Sequence, residues 1–138
     1  LYAFDDINRD GQLDVVFGIA GPGLLHVFFG LGNGSFINVG NFTTKTGLNF
    51  ASMILKDMNN DQKSDLLTID VSIGSLTVRY GDGQGGFVRE DTYRLQIKSY
   101  SAQLIADDFN GDSKMDLAIV CTNGQETRIY HGDGTGRL

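Results

Sequence analysis

In the stretch DDINRDGQLD, residues 5–14, oxygen-bearing side chains fall at alternate positions and then stop: Asp6, Asn8, Asp10 and, four residues on, Asp14. Like charges crowded this closely repel, so the crowding calls for a partner of opposite sign. Side chains at loop positions 1, 3, 5 and 9, with a backbone carbonyl at position 7, can wrap one hard cation. Calcium takes six to eight oxygens and tolerates irregular geometry. Here the carbonyl would be that of Gln12. Three carboxylates around a divalent ion leave one net negative charge instead of three.

The stretch recurs. DDINRDGQLDVVF at 5–17 returns as KDMNNDQKSDLLT at 56–68 and DDFNGDSKMDLAI at 107–119, each offset by 51 residues. A second element keeps that offset: FGLGNGSF at 29–36, YGDGQGGF at 80–87 and HGDGTGRL at 131–138. Stacking the copies gives two further candidate sites. One has side chains Asp57, Asn59, Asp61 and Asp65 with the Lys63 carbonyl; the other has Asp108, Asn110, Asp112 and Asp116 with the Lys114 carbonyl. Three glycine columns are also identical: Gly30/Gly81/Gly132, Gly32/Gly83/Gly134 and Gly34/Gly85/Gly136. The remaining shared columns keep only apolar character, as core positions do. Three bound calcium ions would offset the chain's formal charge of −6.

Spacing separates these loops from other calcium loops. An EF-hand needs a bidentate Glu at position 12, where this chain has Phe17, Thr68 and Ile119. Dockerin and thrombospondin loops also want an acid there, and the latter want cysteines. Here position 9 leads straight into an apolar run, so each loop joins two β-strands.

The elements that must position the loops read as strands. LTVRY (76–80) alternates, with Leu76, Val78 and Tyr80 on one face. DVVFGIA, DLLTIDV and DLAIVCT are the short aliphatic runs of strands covered on both faces. Each copy then has an apolar strand, the acidic loop, a buried strand, an alternating strand, the glycine turn and an outer strand. The third copy lacks the outer strand, which gives eleven strands. The apolar spacing of 48–58 also suits a helix, but the first copy has no capped equivalent. Segments 43–51 and 94–102 are expected to cross from one copy to the next. Four short strands per repeat is the pattern of a β-propeller blade. The expected fold is all-β: one propeller segment of three blades at 1–51, 52–102 and 103–138. Because closed rings use about four to eight blades, further blades from the same chain or another protomer are expected to close it.

These residues resemble the FG-GAP (VCBS-type) repeat of integrin-α-like β-propellers, whose blades carry a D-x-[DN]-x-[DN]-G-x-x-D calcium loop between their first two strands. The turns LGNGSF and GDGQGGF are similar to the family's glycine-rich turn. The resemblance implies calcium in the blade loops, an extracellular, cell-surface or periplasmic setting, and a role in adhesion or ligand binding. The loops depart from it at position 6, where only the first copy has the family's glycine, Gly11; the others have Gln62 and Ser113. Gly111 stands at position 4 of the third loop, and the second loop, with Asn60 there, has no glycine. Affinity is therefore expected to fall in the order first, third, second.

Composition narrows the function. A net charge of −6 opposes binding to a phosphate backbone, and no apolar run of about 18 residues offers a membrane span. The lone Cys121 permits no intrachain disulfide and reads as a buried, inert thiol. The glycine turns link strand to strand, so they are not dinucleotide fingerprints. His131 shares a column with Phe29 and Tyr80 and reads as a packing residue, whereas His26 reads as exposed. Asn33 and Asn41 match the glycosylation sequon, though nine asparagines make that expected by chance. No acid/base pair or nucleophile stands out, so the expected function is recognition of a protein or carbohydrate on rim loops or inter-blade grooves, not catalysis. The alternatives are a non-catalytic propeller of a secreted enzyme and a lectin-like propeller assembled by oligomerisation.

Overall fold

The structure, a computed structural model, describes residues 1–19, 23–44, 50–95, 97, 101–122 and 126–138. Its eleven strands form three antiparallel sheets, with no helix among the described residues. Sheet one contains β1 (Tyr2–Asp5), β2 (Asp14–Ile19), β3 (Leu24–Gly30) and β4 (Phe36–Thr43), in that order. Sheet two repeats it with β5 (Phe50–Lys56), β6 (Asp65–Asp70), β7 (Ser75–Gly81) and β8 (Phe87–Arg94). Sheet three has β9 (Ala102–Asp107), β10 (Asp116–Cys121) and β11 (Glu126–Tyr130). The ambiguous apolar run is therefore a strand at β5, paired along β6. Of the expected crossing segments, 45–49, 96 and 98–100 lie outside the described residues.

Alternation explains how the sheets stack. Val16, Leu25 and Val27 of sheet one share a core with Met53 and Leu66 of sheet two. On sheet two's other face, Leu67, Leu76 and Val78 share a core with Leu104, Leu117 and Ile119 of sheet three. Each fully buried aliphatic side chain contributes about 1.5–3 kcal/mol of transfer free energy. Because sheet two is covered on both faces, β6 is buried along its whole length. Cys121 lies in the second core as a free thiol.

The expectation of two-sided cover fails for β2, where Phe17 and Ile19 are exposed. No described sheet lies against that face of sheet one. Its Tyr2, Phe4, Phe17 and Phe28 rings instead pack edge to face on one another at 5.3–6.3 Å. Sheet three is open on its far side, exposing Ile105, Phe109 and Ile129.

Candidate metal centre

Each acidic loop sits between the first two strands of its sheet and is built by the same hydrogen bonds. The position-1 carboxylate accepts backbone N–H groups from positions 5 and 6. Asp6 takes them from Asp10 at 3.0 Å and Gly11 at 2.8 Å, Asp57 from Asp61 at 3.2 Å and Gln62 at 2.7 Å, and Asp108 from Asp112 at 3.2 Å and Ser113 at 2.7 Å. Asn8, Asn59 and Asn110 each accept the same position-5 N–H through Oδ1 at 2.9–3.0 Å. Asp10, Asp61 and Asp112 in turn accept the N–H groups of Gln12, Lys63 and Lys114 at 2.8–2.9 Å, which fixes the backbone that carries the expected carbonyl ligands. These are Asx turns, in which a side-chain oxygen takes the place of a backbone acceptor.

The loop backbone is left-handed at two positions in every copy. At position 6, φ is 83° for Gly11, 65° for Gln62 and 66° for Ser113. At position 4 it is 66° for Arg9, 61° for Asn60 and 80° for Gly111. The first and third loops each place one non-glycine residue there, and the second places two. Left-handed backbone costs an L-residue about 1–2 kcal/mol, with Asn among the more tolerant. The sequence pointed to position 6 and, through Gly111 alone, to position 4.

Position 9 differs in kind. Asp14, Asp65 and Asp116 are fully buried. One oxygen of each accepts a loop N–H: Ile7 at 2.9 Å, Met58 at 2.9 Å and Phe109 at 3.1 Å. The other accepts the N–H of the first glycine of the glycine turn, Gly30, Gly81 or Gly132, at 2.9 Å in all three. That glycine has no room for a side chain, since a Cβ would run into the carbonyl oxygen of Leu13, Ser64 or Met115 in the acidic loop. The two motifs share a period because they bond to each other.

The third glycine of the turn serves the next interface. A Cβ on Gly85 would strike the Phe29 ring of sheet one, and one on Gly136 would strike the Tyr80 ring of sheet two. Tyr80 also donates its hydroxyl to the Gly136 carbonyl at 2.9 Å. His131, the third member of that column, is not a packing residue. Its side chain is 61% exposed, and Nδ1 lies 3.2 Å from Asp116 Oδ2 and 3.3 Å from Asn110 Nδ2. It immediately precedes Gly132, and no described sheet follows sheet three to set a glycine turn against its ring. His26 departs in the other direction: it is half-buried, and its Nε2 is buried without a partner among the described residues.

The carboxyls of Asp65 and Asp116 shift in opposite directions. Burial raises that of Asp65 to about 6 against the N–H groups of Gly81 and Met58, with the Asp61 and Asp57 charges adding to the rise. Burial also pushes Asp116 up, but the Gly132 N–H, the His131 ring and the Phe109 N–H outweigh it and leave its pKa lowered. Both are sealed from water, yet Asp65 lies deeper, in the sheet enclosed on both sides.

A family model described as the FG-GAP-like repeat matches residues 6–68 and again 57–119. The chain belongs to the FG-GAP-like repeat family. Each match runs from one acidic loop through the next loop and into the strand after it, and the two are offset by the same 51 residues as the motifs. The comparison with curated proteins found no match. Among the described residues, no three or more His, Cys, Asp and Glu side chains are drawn together as a metal cage. The FG-GAP loops instead mix carboxylate, carboxamide and backbone oxygens, a hard donor set that fits calcium. A carboxylate has about four acceptor sites, and the two loop N–H groups on Asp6 leave it capacity for an ion.

Proposed function

We propose that the chain is a calcium-stabilised segment of a β-propeller that recognises a ligand and does no chemistry. One observation carries this reading. The three loops share one backbone path and one set of Asx turns, although only the first has glycine at position 6. Holding Arg9, Asn60, Gln62 and Ser113 left-handed costs stability, and a common function for the loop offsets that cost. In this reading each loop holds one calcium ion, up to three in all. Asp6, Asn8, Asp10 and Asp14 with the Gln12 carbonyl serve the first, and the equivalent residues of 57–65 and 108–116 serve the others. The ion supplies positive charge that relieves the crowded carboxylates and ties each loop to its sheet.

The ring geometry is supported by the way each sheet packs on the next. The faces that expose Tyr2, Phe4 and Phe17 on sheet one, and Ile105 and Ile129 on sheet three, are those on which further blades would pack. Calcium is abundant outside the cell, which suits an extracellular, cell-surface or periplasmic setting. With millimolar calcium and an affinity of about 10⁻⁴–10⁻³ M, each site contributes about 0.4–1.4 kcal/mol. The test is the thermal unfolding midpoint in EGTA, in excess calcium and in excess magnesium. A rise specific to calcium is expected; equal midpoints in calcium and EGTA would withdraw the metal assignment.

A further inference from the structure

The second copy departs from the first along one face. Phe17, Ile19, Leu24, Phe28 and Val39 of sheet one correspond to Thr68, Asp70, Ser75, Arg79 and Glu90 of sheet two. Register places these sheet-two residues on one side: Arg79 is paired with Leu66 and Glu90, and Ser75 with Asp70 and Arg94. That side faces sheet one, because Leu66 packs there. Ser75, Thr77, Arg79, Glu90, Thr92 and Arg94 line a cavity of about 610 Å³. A smaller one of about 200 Å³ shares Arg79 and Glu90 and reaches Phe42 and Thr43 of β4. A second crevice, of about 510 Å³, runs past Leu76, Tyr93, Leu95, Tyr130 and Leu138, is also lined by Arg128, and shares Thr92 and Arg94 with the first.

Packing alone does not call for this polarity, since burying charge costs free energy that an apolar face avoids. Arg79 is only 8% exposed and is held by Glu90 at 3.4 Å and Thr68 at 3.2 Å. Asp70 is 3% exposed; its Oδ1 accepts the Ser72 N–H and hydroxyl, while Oδ2 has no partner among the described residues. Three of the chain's six arginines, Arg79, Arg89 and Arg94, stand on this one hairpin of an otherwise acidic chain.

We propose that the crevice between sheets one and two binds a carbohydrate bearing a carboxylate. The hydroxyls of Ser75, Thr77 and Thr92 both donate and accept, as a polyol requires. Glu90 accepts from sugar hydroxyls while Arg79 holds it in place. Arg94 is exposed and offers a guanidinium fork to the ligand's carboxylate. Ile73 gives the ring's C–H face a small apolar ledge. The size falls within the usual 300–1,000 Å³ range for small-ligand sites. A peptide would want deeper apolar anchor pockets than this lining gives.

This inference deepens the recognition reading and rests on it. The test is backbone-amide NMR of the chain in excess calcium, titrated with glucuronate, with glucose and with a short acidic peptide. Glucuronate is expected to shift amides at 75–79 and 90–94, with glucose and the peptide binding at least about tenfold more weakly, or ~1.4 kcal/mol. Arg94→Ala, at an exposed position, should keep the folded spectrum and lose about tenfold in glucuronate affinity, the same ~1.4 kcal/mol. Unchanged affinity in Arg94→Ala, equal binding of glucose, preference for the peptide, or no shift in the wild type would each overturn the site. Shifts confined to the acidic loops would overturn the crevice and keep recognition. The calcium-dependent midpoint is read separately and is unaffected by either result.

Discussion

The mouth and the root of each acidic loop are made of the same residue type and do opposite work. At the mouth, Asp61 is exposed and bonded to N–H groups of its own loop; at the root, Asp65 is buried and joins that loop to a glycine sixteen residues on. The mouth is a local structure whose geometry suits an ion. The root is a tertiary latch closed by hydrogen bonds to backbone N–H groups. Identity across three copies therefore has two structural causes: the Asx turns of the loop at positions 1, 3 and 5, and satisfaction of buried donors at position 9.

The largest effects should come from the root. Asp65→Ala strands the N–H groups of Met58 and Gly81 in the core, at a cost of about 2–5 kcal/mol. Gly81→Ala drives a Cβ against the Ser64 carbonyl and should also be severe. Urea unfolding should show the Asp65→Ala loss in EGTA, with that site's share of about 0.4–1.4 kcal/mol added in calcium. A loss appearing only in calcium would break the comparison, because position 9 would then act through the metal alone.

Titration separates two roots that share a sequence column. The raised pKa of Asp65 means the folded state binds its proton more tightly than the unfolded chain, whose carboxyl titrates near 3.8. Its contribution is complete below pH 3.8 and is lost as pH rises through about 6. Asp116, lowered, contributes the reverse: stability present above the unfolded pKa and lost as pH falls. In EGTA, Asp65→Asn should flatten the decline between pH 4 and 6 relative to the parent chain, the window bounded by those two values. A decline of undiminished slope in Asp65→Asn would assign the titration elsewhere.

Mouth substitutions should be milder and conditional. Asp61→Asn keeps an oxygen for the Lys63 N–H but removes a ligand charge. In EGTA its unfolding midpoint should match the parent closely. In millimolar calcium it should forfeit that site's share, about 0.4–1.4 kcal/mol. An equal loss in both conditions would make the mouth structural, like the root.

The mouth was legible as a loop between two strands because its Asx side chains lie within nine residues and their spacing is local. The strand order was legible too, since alternation and turn glycines report on each strand by itself. The root was only half legible. Asp65 and Gly81 could be seen to share a period, but their bond depends on β6 and β7 folding back on each other. His131 was misread for a related reason: Phe29 and Tyr80 are packed by the glycine turn of the following sheet. The position-4 demand showed only at Gly111, because Arg9 and Asn60 adopt it without glycine.

The smallest expected effect tests how much the loop path itself costs. In the second loop, Gln62 stands left-handed at φ 65°, where the first loop has Gly11. Gln62→Gly removes about 1–2 kcal/mol of backbone strain but adds about 0.5–1 kcal/mol of unfolded-state entropy. The net gain should be about 0.5–1 kcal/mol in EGTA, read from the urea midpoint. If the path exists to present oxygens to an ion, the same variant should also tighten calcium binding at the second loop, because less strain opposes the bound geometry. A gain in EGTA without tighter binding would mean that the loop is already fully formed without the ion. Strain at position 6 would then be a cost to the fold alone, and the expected affinity order of first, third and second loop would lose its physical basis.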